Sequence, residues 1–199
     1  MIIKDLTPYV RRHMCGEQLT MTKFNRPSSE TELKAVLDSA YDLACKSRYD
    51  EALAVCDWLI QDKTTEVAGY RERAAVKEYM NNIEGAVSDL RIVISLQNTE
   101  PADFHTLGLL LLQNGNTAEA VTAFDRSIAI GTKENAHYYT SSSLLFRADA
   151  HLKLTNFAEA LEDSENLPVG FKAYLPGTGM RSKEDISAEA NASLAKRKN

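Results

Sequence analysis

Ala52, Ala86 and Ala120 stand 34 residues apart in matching contexts: Glu51-Ala52-Leu53, Gly85-Ala86-Val87 and Glu119-Ala120-Val121. A fixed period of this length means that one structural unit is encoded several times. Such a unit cannot bury its apolar face alone and must stack on its neighbours. The period therefore predicts a layered helical fold whose function lies in a surface, which favours binding over chemistry. A fourth copy, Glu159-Ala160-Leu161, follows Ala120 after 40 residues. About six extra residues must then sit between units, in the stretch 132–140, and insertions in repeat arrays map to loops.

On this register the units are 33–66, 67–100, 101–134 and 141–168, flanked by an N-terminal extension (1–32) and a C-terminal segment (169–199). Within each unit the apolar residues recur at intervals of three and four, as in Val36, Ala40, Leu43 and in Phe104, Leu107, Leu111. This is the period of a helix with one buried face. Each unit breaks at a short polar turn: Lys46-Ser47-Arg48, Met80-Asn81-Asn82, Asn114-Gly115-Asn116 and Leu154-Thr155-Asn156. Gly and Asn in such turns tolerate the left-handed conformation that ends helices. A second helix is expected to begin near Tyr49, Ile83, Thr117 and Phe157. The repeated alanine falls one turn into it, and Ala40, Ala74, Gly108 and Ala148 hold the facing place on the first helix. Small residues meeting small residues let the two backbones approach closely.

Outside the repeats, a short helix is expected before Gly16, and Ser28 or Ser29 can cap a helix whose first turn carries Glu30 and Glu32. Leu175-Pro176-Gly177-Thr178-Gly179 reads as loop. Ser182-Lys183-Glu184-Asp185 resembles a capping box that opens a last helix of Ile186, Ala190 and Leu194, which would cover the final apolar face. The tail 195–199 is expected to fray.

Composition removes several functional classes. The formal net charge is −5, whereas general binding to a nucleic-acid backbone needs clustered Lys and Arg. The N-terminal residues carry charge at once, with no apolar stretch of the signal-peptide kind. The longest apolar run, 107–112, is far shorter than the roughly 20 residues of a membrane span. A cytoplasmic protein without membrane or nucleic-acid partners is expected. Cys15, Cys45 and Cys56 have no metal-ligand spacing, so no metal site is expected. No nucleophile with its base, no paired carboxylates and no phosphate-cradling loop can be read, Gly177-Thr178-Gly179 being too short and lacking a preceding strand. Neither catalytic residues nor a cofactor are expected.

At this point the chain resembles the tetratricopeptide repeat (TPR) family. The third unit carries the likeness best, with Phe104, Leu107-Gly108, Leu111, Gly115, Ala120 and Phe124. The fourth follows with Leu144, Arg147-Ala148, Phe157, Ala160 and Pro168. The first has Cys56 and the second Lys77 where an aromatic is usual. The resemblance implies an all-α fold, an α-solenoid of about four helical hairpins with an N-terminal extension and a C-terminal capping helix.

It also implies that the first helices of successive units line a concave groove. On this chain the groove positions include Leu37, Tyr41, Cys45, Arg71, Glu78, Tyr79, His105, Leu109, Gln113 and Asp149. A mixture of aromatic, aliphatic and charged groups suits a peptide or protein segment, with Tyr41, Tyr79 and Leu109 as apolar anchors. The TPR proteins that grip a chaperone's C-terminal carboxylate use Lys, Asn and Arg at places that hold Leu37, Tyr41, Glu72, Ala102 and Thr106 here, so that clamp is absent. The stretch 132–140, with His137, Tyr138 and Tyr139, is a second candidate surface. The expected function is a non-catalytic protein-interaction module. The alternative is a dedicated partner-neutraliser, such as a secretion chaperone or a toxin immunity protein.

The register makes a direct stability prediction. Ala86→Leu should overpack the second hairpin and cost on the order of 1–3 kcal/mol in chemical denaturation; wild-type stability would overturn the register.

Overall fold

The computed structural model describes residues 26–97, 100–175 and 178–197. The short helix expected before Gly16 lies outside them, as do Pro176 and Gly177 of the expected loop. The chain divides into two compact units, one ending at Leu96 and one beginning at Gln97.

The first unit contains α1 (Glu30–Cys45), α2 (Tyr49–Ile60), α3 (Glu66–Tyr79) and α4 (Ile83–Leu96). Sequential helices pack on one another, and α1 also touches α3. Ser29 caps α1, its Oγ accepting the Glu32 N–H at 3.2 Å, while the Glu32 carboxylate accepts from the Ser28 amide and hydroxyl at 2.8 Å each. Two orphan donors at the helix start are thereby satisfied reciprocally. The core beneath holds Ala40, Leu43, Ala44, Ala52, Val55, Cys56 and Val76.

The second unit contains α5 (Pro101–Gln113), α6 (Thr117–Lys133), α7 (His137–Lys153), α8 (Phe157–Glu165), the strands β1 (Lys172–Leu175) and β2 (Gly179–Ser182), and α9 (Lys183–Arg197). Helices again pack in sequence, with α5 touching α7 and α9 touching α7. Pro101 at the start of α5 has no N–H to leave orphaned.

The second helices start at Tyr49, Ile83, Thr117 and Phe157, where the sequence places them. One turn geometry accounts for this. Ser47, Asn81, Gly115 and Thr155 have φ of 58°, 58°, 80° and 62°. The next residue's N–H then reaches the carbonyl five residues back: Arg48 to Leu43 at 2.9 Å, Asn82 to Lys77 at 2.8 Å, Asn116 to Leu111 at 2.8 Å and Asn156 to His151 at 2.9 Å. That is the Schellman closure of a helix C-terminus. The same residue's carbonyl starts the following helix by accepting the N–H of Ala52, Ala86, Ala120 or Ala160. A β-branched residue such as Thr155 is strained in this region, and the recurring closure holds it there.

All four repeated alanines have no exposed surface, and Ala40 and Ala148 facing them are likewise at 0%. At Gly108 a Cβ would lie 2.5 Å from Phe124 Cε1, so the third hairpin has room only for hydrogen.

The six extra residues before Ala160 form no loop. They lengthen α6 to 17 residues, against 14 for the second helix α4, and α7 to 17, against 14 for the first helix α3. The connection shrinks to Glu134–Ala136, with Asn135 at φ 57° and the Ala136 N–H bonded to the Gly131 carbonyl at 2.8 Å. It is another Schellman turn, and helix continuation satisfies more backbone groups than a loop of the same length could. The segment after α8 is also not loop throughout. β1 and β2 pair antiparallel, Tyr174 opposite Met180 and Ala173 opposite Arg181. The capping box is present: the Asp185 N–H reaches Ser182 Oγ at 3.2 Å and Asp185 Oδ2 accepts the Ser182 N–H at 2.9 Å. Ile186 and Ala190 on α9 are fully buried.

One arginine fork in each unit ties a first helix to second helices. Arg73 on α3 donates to both carboxylate oxygens of Asp89 on α4, at 2.9 and 2.7 Å, and to Asp57 on α2 at 2.7 Å. Arg147 on α7 does the same with Asp163 on α8, at 2.9 and 2.5 Å, and with Asp125 on α6. Burial acts to raise the Asp89 carboxyl, but bonds from Arg73 and Lys77 outweigh it and hold the group below the ordinary carboxylate range. The register-equivalent positions in the third unit carry Leu107 and Ala123, both buried.

Removing one member of a buried pair strands the other charge. Arg147→Leu should therefore cost about 3 kcal/mol in urea denaturation, since the Asp163 side chain is only 4% exposed. Adding Asp163→Ala recreates the Leu107/Ala123 combination and should recover most of that loss.

Candidate functional site

In the first unit, α1 and α3 bring part of the expected groove together. Tyr41 and Tyr79 project with 48% and 47% of their surfaces exposed. Their rings meet edge to face at a centroid distance of 5.9 Å, and the Tyr79 hydroxyl donates to Tyr41 at 3.2 Å. The Cys45 thiol lies 4.0 Å from the Tyr79 hydroxyl. Tyr49 anchors the same place from below, donating to the Tyr79 carbonyl at 3.3 Å. The hydroxyl bond with Tyr41 and the contact with Cys45 push the Tyr79 phenol above its ordinary range. Leu37 and Arg71 are half-buried and Glu78 is exposed.

Glu72 belongs beside this face and was not among the expected contact residues. Its Oε1 is buried with no hydrogen-bond partner among the described residues. Burial, then the charge of Asp38, pushes its carboxyl up to about 7. The signal was present in the register, because Asp38 and Glu72 are 34 residues apart and fall at equivalent places on neighbouring first helices. Like charges brought together in this way disfavour ionisation.

In the second unit the resemblance makes His105 a groove contact, and the structure buries it at 6% exposure. Phe146, Tyr139 and Phe124 surround the ring at centroid distances of 5.5, 5.8 and 6.0 Å. Ser127 Oγ donates to the Pro101 carbonyl at 2.8 Å and Ser143 Oγ to Ser127 at 2.9 Å. Ser143 has thereby used its proton, so Nδ1 of His105, 2.9 Å away, must be the donor to it. Nε2 is left as the acceptor facing Ser142 Oγ at 3.4 Å. Burial lowers the imidazole to about 4 and keeps it neutral. Although a Ser–His contact is present, Ser143 has no exposed surface and its proton points at another serine. The cluster orders the core.

Asp149 is also buried rather than groove-lining, at 3% exposure. Lys153 Nζ lies 2.9 Å from Oδ2, and Arg181 Nε of β2 lies 3.5 Å from Oδ1. A buried carboxylate requires such cations, and one of them comes from the hairpin that the sequence reads as loop. Leu109 is half-buried and Gln113 exposed. His137, Tyr138 and Tyr139 lie on the first turn of α7, not on a loop. Tyr138 is 70% exposed and stacks edge to face on Tyr139, whose ring turns inward to His105.

Among the described residues no group of three or more His, Cys, Asp or Glu side chains could hold a metal ion. No described helix is long and apolar enough to cross a membrane. Cys56 is buried, and burial followed by the charge of Glu72 pushes its thiol far up.

No family model and no curated protein matches the sequence. Solved structures do. The chain is similar to a putative kinesin light chain of Podosopora anserina with nearly identical TPR-like repeats, at TM-score 0.64 and 20% identity over 86% of this chain and 91% of that one. It is similar to MamA at TM-score 0.56 and 13% identity, over 83% and 80%. A thermophilic TPR protein of Thermus thermophilus matches at TM-score 0.52 and 14% identity, over 82% and 81%. The fold is the all-α solenoid of tetratricopeptide type, and at these identities the likeness concerns the fold.

The buried imidazole sets a pH dependence. The unfolded chain takes up a proton at His105 near the ordinary value of 6.5, the native chain only near 4. Stability from this group is complete above pH 6.5 and is lost as pH falls toward 4, by about 3 kcal/mol. Glu72 acts in the opposite sense, losing stability as pH rises from 4.5 to about 7. The difference between wild type and His105→Gln in denaturation across pH 4–7 isolates the histidine: wild type should show the steeper rise.

Proposed function

We propose that the protein is a non-catalytic interaction module that binds a peptide or protein segment on the first-helix face of its tetratricopeptide hairpins, with Tyr41 and Tyr79 as the principal contact. The single observation that carries this reading is the tyrosine pair. Two large aromatic side chains, each about half exposed, are held in one geometry by a ring contact and a hydroxyl bond. Preorganised tyrosines offer broad contact area with little rotamer entropy left to lose, which is why they concentrate binding energy at interfaces. Leu37 adds apolar surface beside them, while Arg71 and Glu78 supply orienting charges.

The exposed Cys45 thiol reports on the same place. Partners retained by wild-type protein in its native cell should be lost by Tyr41→Ser/Tyr79→Ser, with affinity for the purified partner falling at least ten-fold. Helicity should be unchanged, and the bound partner should shield Cys45 from maleimide. Undiminished affinity together with unshielded Cys45 would remove the tyrosine face from the interface.

A further inference from the structure

The β1–β2 hairpin sits on the face of α5 and α7 that the family resemblance assigns to a ligand. Leu175 is 2% exposed and closes a cavity of about 20 Å³ lined by Leu109, Leu112, Gln113, Phe146 and Lys153. On the other strand Arg181 reaches the buried carboxylate of Asp149 at 3.5 Å. Strand alternation sorts the side chains: Ala173, Leu175 and Arg181 turn inward, while the cross-strand pair Tyr174 and Met180 stays 64% and 58% exposed.

The hairpin is not needed to seal the end of the unit, because α9 does that by other means. Ile186 and Ala190 are fully buried, and α9 packs directly on α8. Lys183 Nζ donates to the Glu165 and Leu167 carbonyls at 3.1 and 2.8 Å. The excursion 172–182 is moreover pinned at its base, where the Lys183 N–H donates to the Phe171 carbonyl at 3.0 Å. Arg181 also donates to Glu189 of α9 at 2.7 Å, and Ser182 caps α9. Displacing 172–175 and 179–181 therefore breaks one ion pair with α9 but leaves Ser182, Ile186 and Ala190, which seat that helix, in place. An isolated two-stranded hairpin is marginal in water, so its order depends on what it docks against.

We propose that the α5/α7 face is a receptor for an extended segment presenting a leucine and an arginine, and that the chain fills this receptor with its own hairpin. Leu175 closes the pocket beside Leu109, Leu112 and Phe146, and Arg181, which also donates to Glu189 at 2.7 Å, joins Lys153 in neutralising Asp149. A partner that engages this face carries the same pair of anchors and competes with the hairpin. The proposal concerns residues separate from the tyrosine face, and either can fail alone.

The full-length Leu175→Asp/Arg181→Asp protein, whose two new carboxylates repel Asp149 and desert the pocket, provides the test. The probe is a fluorescein-labelled peptide of this chain's residues 170–183, followed by anisotropy, with circular dichroism as the fold check. The folded variant should bind the peptide at least ten-fold more tightly than wild type does, and a peptide carrying the same two aspartates should not bind. Equal binding to both proteins, no binding to the folded variant, or cooperative loss of helicity in the variant would each overturn the proposal. Hydrogen exchange on wild type gives an independent readout: hairpin amides should exchange at least ten-fold faster than those of α7. Equal protection would make the hairpin part of the core and end the receptor reading.

Discussion

The distance between paired helices is set where a methyl group or a hydrogen faces another. Ala40, Ala52, Ala86, Ala120, Ala148 and Ala160 have no exposed surface, and at Gly108 the Phe124 ring leaves no space even for a Cβ. Close approach at these points brings the longer side chains on either side into contact. It also demands that the chain reverse within three residues, which the left-handed turn at Ser47, Asn81, Gly115 and Thr155 accomplishes. One residue then serves two elements, its N–H closing the first helix and its carbonyl opening the second. The same economy explains why extra sequence before Ala160 lengthened two helices and reused this turn at Asn135.

Packing between first and second helices has two chemical solutions in one chain. Arg73 and Arg147 hold buried aspartates in bidentate forks, whereas the third unit puts Leu107 and Ala123 at the equivalent places. Ion pairs removed from water gain little over well-packed apolar residues of similar shape. What the forks add is direction. A guanidinium that must meet one carboxylate on its own hairpin and another on the preceding second helix fixes the rotation of both, which leucine and alanine do not.

Helix starts and the small-residue crossings were legible in the sequence because they are local: three to four residues decide each, and the 34-residue register multiplies the signal. The arginine forks were equally periodic, with Arg73 and Asp89 separated by the same 16 positions as Arg147 and Asp163, but charged residues on a helix usually read as solvated surface. His105 and Asp149 were misplaced for a different reason. Helical register assigns a face, while burial depends on what covers it; here the covering comes from lengthened α7 through Tyr139 and from Arg181 on β2. Neither lies within the repeat. A four-residue strand such as Lys172–Leu175 carries too little alternation to stand out from loop.

The two units consequently present different first-helix faces. On α1 and α3 the tyrosines are about half exposed, and Glu72 keeps an oxygen with no hydrogen-bond partner among the described residues. Its carboxyl is poised near 7, so a neighbouring cation would convert a group that burial and Asp38 hold partly protonated into a full anion, and the gain would come from charge rather than area. On α5 and α7 two cations already stand beside the buried acid, Lys153 at 2.9 Å and Arg181 at 3.5 Å from Asp149, although Asp149 Oδ2 and Arg181 Nε, like Glu72 Oε1, have no hydrogen-bond partner among the described residues. A repeat scaffold thus carries one face whose buried acid stands beside two cations and one whose acid, among the described residues, stands instead beside another carboxylate. The difference follows from a hairpin outside the repeat and from like charges that the repeat itself brings together.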